Sequence, residues 1–152
     1  MNSPFLAAAA AMAFIAASPH ASAAPAVAAV GCTNSGCNNK DPNAMGCGAD
    51  ATTLDSASNQ GVTVDLRYSR TCNAAWARVR ATGTDHDEPN QYVNFWTYGS
   101  SAKNGNPEIQ AAGDCCVSGA TTQYTAMISY TNWVWARFYN GQGQFGAITG
   151  RH

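Results

Sequence analysis

The chain has 152 residues, which suffices for one small domain and leaves little room for a second. Its eight basic and nine acidic residues give a formal net charge of −1. Because attraction to nucleic acid or to an anionic membrane needs clustered Lys and Arg, this balance argues against both partners.

The basic residues that lie closest together in sequence are Arg67, Arg70, Arg78 and Arg80. The acidic residue Asp65 adjoins them, and alternate positions on a strand face opposite sides of a sheet. We therefore predict a solvated sheet face here rather than a binding patch.

The N-terminal segment is typical of an export signal. Residues 5–17 form an apolar run without a charge, and Ala21-Ser22-Ala23 is a small-x-small site of the kind that a signal peptidase cleaves. The first four residues contain no Lys or Arg, which departs from the usual signal. Since the run is too short to span a bilayer comfortably, we favour export over a buried Ala-rich helix. We predict a signal peptide over residues 1–23, a flexible leader over 24–30, and one secreted extracellular domain over 31–152, with no stable membrane insertion after cleavage.

All six cysteines follow the predicted signal, and their number is even. In a small exported domain this combination predicts disulfide bonds. Closing a loop such as Cys47 to Cys72 would remove roughly 3 kcal/mol of unfolded-chain entropy. The predicted disulfide cysteines are Cys32, Cys37, Cys47, Cys72, Cys115 and Cys116.

The pairing stays open, because four cysteines allow three connectivities and six allow fifteen. Cys115 and Cys116 either pair with each other or pair with two different partners. The second arrangement is geometrically easier, because adjacent Cα atoms are only about 3.8 Å apart, which is shorter than the usual span of a disulfide. Zinc is the alternative use of the cysteines, since the Cys32-x4-Cys37 spacing is within loose ligand range. No CxxC or HxxxH motif accompanies it, so we predict no metal and no cofactor.

Residues 32–40 are rich in Gly, Asn and Ser, which is typical of a loop. Asp41-Pro42 predicts about one helical turn, capped by Asp41 and ended by Gly46. Residues 61–69 alternate between apolar and polar side chains, which predicts a half-buried strand. Residues 73–81 fit a strand or a helix, and the short connection favours the strand.

Further strands are predicted over residues 91–98, 121–130, 132–139 and 145–149. Turn signals about every ten residues indicate a mainly β domain. We predict a small antiparallel β-sandwich or barrel with a disulfide-bonded N-terminal loop region and at most one short helix.

A short sequence echo occurs within this pattern. Trp76-Ala77-Arg78-Val79 recurs as Trp135-Ala136-Arg137-Phe138. If both segments are strands, each Trp shares a sheet face with its Arg. We interpret the echo as a coincidence rather than a repeat, because it covers only four residues.

The middle of the chain resembles a known family. The matching residues are Gly31-Cys32 with Cys37, Lys40-Asp41-Pro42, Gly46-Cys47, Asp50-Ala51-Thr52-Thr53, and Val64-x-Leu66-Arg67-Tyr68-Ser69-x-x-Cys72-x-Ala74-Ala75-Trp76-Ala77-Arg78. In these motifs the chain is similar to the YjfA-like family, small exported bacterial proteins of unassigned molecular function. The resemblance implies a secreted, disulfide-bonded domain with a sensing or binding role, and it supplies no catalytic residues.

Catalytic patterns are weak. His86 lies in a polar, acidic segment without the nucleophile and orienting group that a triad needs. Asp65, Glu108 and Asp114 are candidate glycosidase carboxylates, but nothing in the sequence places them together. No residue pattern argues for an enzyme.

Aromatic residues support a binding role. The two indoles of Trp133-Val134-Trp135 lie on one side of a strand, and we expect Ala136 and Phe138 to pack inward with Val134, which leaves both indoles exposed. The alternative is that these rings belong to the core. The candidate binding residues are Trp133, Trp135, Arg137, Tyr92, Trp96 and Tyr98.

These patterns together predict a non-catalytic extracellular binding or sensing module. The expected partner is an extracellular protein or a carbohydrate, since exposed Trp and Tyr suit both. The alternatives are a secreted hydrolase with an unrecognised site and an inhibitor of an extracellular enzyme.

Overall fold

The computed structural model describes residues 29–81, 93–115, 122–139 and 143–152. Two short 3₁₀ turns, Asn34–Cys37 and Cys47–Asp50, precede the strands. The strands are β1 (Thr52–Asn59), β2 (Val62–Ser69), β3 (Ala74–Ala81), β4 (Val93–Ser100), β5 (Ile109–Cys115), β6 (Thr122–Tyr124), β7 (Ile128–Ser129), β8 (Trp133–Tyr139) and β9 (Phe145–Ile148).

These strands form two antiparallel sheets. Sheet A has the order β1-β2-β3-β6, with β7 also pairing with β3, and sheet B has the order β5-β4-β8-β9. The predicted fold class is therefore confirmed: the chain is mainly β, with helical structure in the described residues limited to the two 3₁₀ turns. Residues 74–81 form strand β3, which settles the choice between strand and helix in favour of the strand.

One hydrophobic core lies between the sheets. Val64 and Leu66 of β2 and Val79 of β3 contribute from sheet A, and all three are buried. From sheet B the core receives Phe95 and Phe138. The strand alternation predicted for residues 61–69 and 132–139 is confirmed, because Val134, Ala136 and Phe138 all belong to this core.

Two glycines make room for the core rings. A Cβ atom at Gly146 would clash with the ring of Phe138, and one at Gly113 would lie 2.6 Å from Cζ of Phe95. Strands β5 and β9 can therefore carry only glycine at these positions without moving a core ring.

The N-terminal loop region covers one end of the outer face of sheet A. Disulfide bonds join Cys32 to Cys37 and Cys47 to Cys72. Trp76 of β3 packs beneath this region in a second, smaller core and is only 4% exposed. Since Cys72 directly precedes β3, the Cys47–Cys72 bond fastens the loop region to the sheet.

The predicted helix after Asp41 is a tight turn. The Oδ1 atom of Asp41 accepts hydrogen bonds from the backbone N–H groups of Asn43 and Ala44, both at 2.8 Å. Asp41 thus caps the turn as expected, but the chain does not continue into an α-helix. The 3₁₀ turn that begins at Cys47 follows Gly46, whose φ of 75° lies in the left-handed region that glycine tolerates.

Several predictions fall on residues that the structure does not describe. They include the signal peptide, the first part of the leader, Tyr92, His86 and Cys116. The pairing of Cys115 and Cys116 also stays a prediction. Among the described residues, no helix is long and apolar enough to cross a membrane.

Candidate ligand-binding face

The outer face of sheet B carries most of the aromatic residues selected from the sequence. Cross-strand pairing places Arg137 opposite Trp96 and Trp135 opposite Tyr98. Directly paired residues project from the same face of a sheet. Because Phe138 points into the core, these four side chains lie on the opposite, outer face.

The same face extends at both ends. Trp133 lies opposite Ser100 at one end of β8, and Tyr139 lies opposite Phe145 of β9 at the other. We call the set Trp96, Tyr98, Trp133, Trp135, Arg137, Tyr139 and Phe145 the aromatic face. It contains five of the six candidate binding residues, and the sixth, Tyr92, lies outside the described residues.

Five rings of the aromatic face, all except that of Trp133, form a continuous series of contacts. Trp96 stacks on Tyr98 with ring centroids 6.4 Å apart, and Tyr98 stacks on Trp135 at 5.5 Å. Edge-to-face contacts continue the series from Trp96 to Tyr139 at 5.5 Å and from Tyr139 to Phe145 at 6.1 Å. Such ring pairs stabilise their arrangement by roughly 0.5–1.5 kcal/mol each beyond area burial, so these five rings stabilise one another's positions.

One part of the aromatic face is covered. The guanidinium carbon of Arg151 lies 3.8 Å from the ring centroid of Trp135. Its Nη1 atom donates hydrogen bonds to the backbone carbonyls of Lys103 and Gly105, both at 2.7 Å. Arg151 thereby fixes the loop between β4 and β5 next to Trp135, which is only 2% exposed.

The predicted exposure of Trp135 is therefore wrong, although the inward face of β8 was assigned correctly. Trp135 points away from the main core, but the ring of Tyr98 and the guanidinium of Arg151 cover it. Tyr98 is buried as well, and burial raises the pKa of its phenol despite the opposing charge of Arg137.

The opposite part of the aromatic face is open. Phe145 is 54% exposed, while Trp96, Arg137 and Tyr139 are half-buried. The guanidinium carbon of Arg137 lies 4.4 Å from the ring centroid of Tyr139 and 5.5 Å from that of Phe145. Its Nε atom is buried, and no atom of the described residues accepts a hydrogen bond from it.

Trp133 forms a second exposed part at the far end of β8. Its side chain is 37% exposed, and Nζ of Lys103 lies 5.1 Å from its ring centroid. A groove of about 410 Å³ runs beside the indole. Its lining residues are Tyr130, Thr131, Asn132, Trp133 and His152.

The outer face of sheet A has a different character. Asp65 is 1% exposed, and its carboxylate accepts hydrogen bonds from Ser56, Arg78 and Arg80 at 2.7–3.0 Å. Burial acts to raise the pKa of Asp65, but the hydrogen bonds from Arg80, Ser56 and Arg78 lower it to about 2. The interpretation of this region as a solvated face is therefore wrong for Asp65, which neutralises part of the arginine charge.

The four N-terminal cysteines come together as two adjacent disulfides. Their sulfur atoms all lie within 4.8 Å of one another, and Cys37, Cys47 and Cys72 are buried. A disulfide sulfur carries no thiolate for a metal, so in this bonding state the cluster stabilises the loop region rather than offering ligands.

The candidate catalytic carboxylates do not converge. Asp65 lies on the outer face of sheet A, whereas Asp114 pairs with Asn94 on the outer face of sheet B. Glu108 accepts hydrogen bonds from the backbone N–H and the hydroxyl of Ser101 in the β4–β5 loop. A glycosidase needs two carboxylates on either side of one substrate, which Asp65 and Asp114 cannot provide.

Sequence reasoning missed Phe145 and gave Tyr139 no special weight. The sequence did allow Tyr139 to be predicted as part of this face, because positions 133, 135, 137 and 139 of one strand share a face. The position of Phe145 could not be predicted from the sequence, because it depends on the β8–β9 register, which shifts between Phe138 and Tyr139.

Comparison with known proteins identifies a family. Residues 35–141 match the family described as "Protein of unknown function (DUF2690)". No curated protein and no solved structure matched the chain. The YjfA-like name and the bacterial origin that the resemblance implies stay predictions.

Proposed function

The chain belongs to this family of unknown function, so we propose a function from its own surface: a non-catalytic extracellular module that binds carbohydrate through the aromatic face. In this proposal the protein is YjfA-like and secreted after signal cleavage. The two disulfides support an oxidising location.

The observation that carries the proposal is the aromatic layer outside the core. Phe95 and Phe138 already fill the space between the sheets with aliphatic neighbours. The seven residues of the aromatic face therefore form a second apolar layer whose ends, at Phe145 and Trp133, are open to solvent. Aromatic rings with one exposed side offer a flat surface on which the C–H groups of a sugar ring can pack.

Polar groups beside these rings favour carbohydrate over a protein partner. Asn94 lies two positions from Trp96 on β4 and pairs with Asp114 of β5, while Asn132 and His152 line the groove together with Trp133. Sugar hydroxyls need such donors and acceptors next to the stacking surface. A protein interface would be expected to present a broader exposed apolar centre.

Retention on polysaccharides tests the proposal. The protein exported from a recombinant host is incubated with insoluble cell-wall and polysaccharide fractions, and bound protein and released sugar are both measured. We expect retention without release of product. Trp133→Ala should weaken retention, while Tyr124→Ala serves as the matched control because Tyr124 is equally 37% exposed on sheet A.

Three results would count against the proposal. Retention on no fraction would contradict carbohydrate binding, and equal loss with both variants would contradict the assigned face. Release of sugar from any fraction would favour a hydrolase instead.

Export is tested separately. We propose that the secreted form begins at Ala24 or within a few residues of it, which N-terminal sequencing of protein from the medium measures. A secreted form that retains Met1 would contradict the proposed signal peptide.

A further inference from the structure

The two copies of the Trp-Ala-Arg echo have different surroundings. Arg78 of sheet A lies opposite Asp65 on β2, and its Nη2 atom is 2.7 Å from Oδ2 of that carboxylate. Arg137 of sheet B lies opposite Trp96 on β4 and Ile148 on β9. The protein therefore supplies an anion to the first arginine but places apolar side chains on both sides of the second.

No carboxylate of the described residues forms an ion pair with Arg137. The ion pairs within the described ranges join Arg78 and Arg80 to Asp65, and His152 to Asp55. Contacts with the rings of Tyr139 and Phe145 stabilise the guanidinium of Arg137 only weakly compared with a bidentate carboxylate. In the described part of the chain the buried Nε has no acceptor, and the side chain as a whole is only half-buried. An anion that reaches its solvent-facing part therefore meets no carboxylate partner of Arg137 among the described residues.

Two further cations lie on the same face. Arg151 lies over Trp135, and Lys103 lies over Trp133. From position 133 to position 137 the face extends roughly 13 Å along β8, so the positive charges are spread along it. Among the described residues, the acidic groups near this face include Asp114 at one edge, Glu108, which Ser101 engages, and Asp55, whose carboxylate lies 3.7 Å from His152 of the groove beside Trp133.

We propose that the aromatic face binds an acidic polysaccharide, one whose sugar rings carry carboxylates, and that Arg137 pairs with one of these carboxylates. The exposed rings of Phe145 and Trp133 contact the sugar faces, while Arg137, Arg151 and Lys103 face the negative groups. This inference rests on the proposed carbohydrate binding and adds the chemical class of the ligand.

A pair of ligands that differ only in charge tests the inference. Binding to polygalacturonate and to its fully methyl-esterified form is measured by affinity electrophoresis and calorimetry, with the exported protein in low and in moderate salt. We expect the ester to bind about tenfold more weakly or worse, since it cannot form charge-assisted hydrogen bonds. Affinity for the acid should fall as salt rises.

Variants test the role of Arg137. Arg137→Gln should weaken binding of polygalacturonate by about ten- to a hundredfold and weaken binding of the ester by a much smaller factor. Arg70→Gln is the matched control, because it removes the same charge from an exposed position next to β2. If Arg137→Gln fails to fold, the comparison of acid and ester with the unmodified protein still tests whether the ligand must carry carboxylates.

The outcomes separate the inference from the function on which it rests. Equal binding of the acid and the ester, or tighter binding of the ester, overturns the inference and leaves carbohydrate binding intact. Binding of the acid that Arg137→Gln does not change overturns the assignment of Arg137. Binding to neither ligand nor to any other polysaccharide overturns both proposals.

Discussion

Arg151 and Trp135 form the contact that divides the aromatic face into covered and open parts. The guanidinium carbon lies 3.8 Å from the indole centroid, and the same arginine holds two carbonyls of the β4–β5 loop. Trp133, only two positions along β8, remains 37% exposed. Stability and binding should therefore depend on different tryptophans of one strand.

Substitution of these two tryptophans should have unequal effects on stability. Trp135→Ala should lower the free energy of unfolding by about 3–5 kcal/mol, because it removes a buried ring. Trp133→Ala should lower it by less than about 1 kcal/mol, as is usual for surface positions. Urea unfolding of both variants measures the difference, and equal losses would contradict the described burial.

Arg151→Ala should expose Trp135. Without the guanidinium, the ring loses its cover and the loop over residues 101–108 loses two hydrogen bonds, so stability should fall by about 1–3 kcal/mol. Quenching of tryptophan fluorescence by acrylamide should rise. The control is Arg70→Ala, which removes an exposed arginine from the turn between β2 and β3. Similar quenching in the two variants would show that Arg151 does not shield the indole.

Stability should depend on pH through Asp65. Its pKa is lowered to about 2 in the folded protein, below the value of an unfolded Asp. The ionised form is therefore favoured by folding, and this contribution is complete above about pH 4 and is lost as the pH falls toward 2. The expected loss is about 2 kcal/mol over that range.

Asp65→Asn isolates this contribution. The variant should be less stable at pH 7 by about 2 kcal/mol, because Arg78 and Arg80 lose their charged partner while their own side chains, 31% and 41% exposed, remain in contact with solvent. Its melting temperature should also change less between pH 4 and pH 2 than that of the unmodified protein. Parallel pH profiles for the two proteins would contradict the lowered pKa.

The two disulfides should contribute unequally. The Cys47–Cys72 bond spans 25 residues and the Cys32–Cys37 bond spans 5. In the chain-entropy model, their removal costs about 3 and about 2 kcal/mol, respectively. Double Cys→Ala variants of each pair, unfolded in urea, measure both costs, and a larger loss for the shorter loop would contradict this explanation.

Alternation within single strands made part of this structure predictable. Val134, Ala136 and Phe138 had to share a face, and their size and apolarity indicated the inward one. That pattern also placed Trp133, Trp135 and Arg137 together on the outer face. The echo likewise predicted that Trp76 and Arg78 share one face of β3. The structure confirms this placement.

Contacts between distant segments were not predictable from the same patterns. The cover over Trp135 joins Arg151 to carbonyls 46 and 48 positions away. The burial of Asp65 depends on strand order, which brings Ser56 and two arginines around one carboxylate. A polar residue at an outward position gives no local signal that neighbouring strands will enclose it.

The indole N–H signals of the four tryptophans test the central claim most directly. Trp96 and Trp133 lie on the aromatic face, whereas Trp76 lies under the disulfide loop on sheet A. In a titration of ¹⁵N-labelled protein with oligogalacturonate, we predict saturable chemical-shift changes for Trp96 and Trp133 and none for Trp76. Changes confined to Trp76, or no changes at saturating ligand, would contradict acidic carbohydrate binding at the aromatic face.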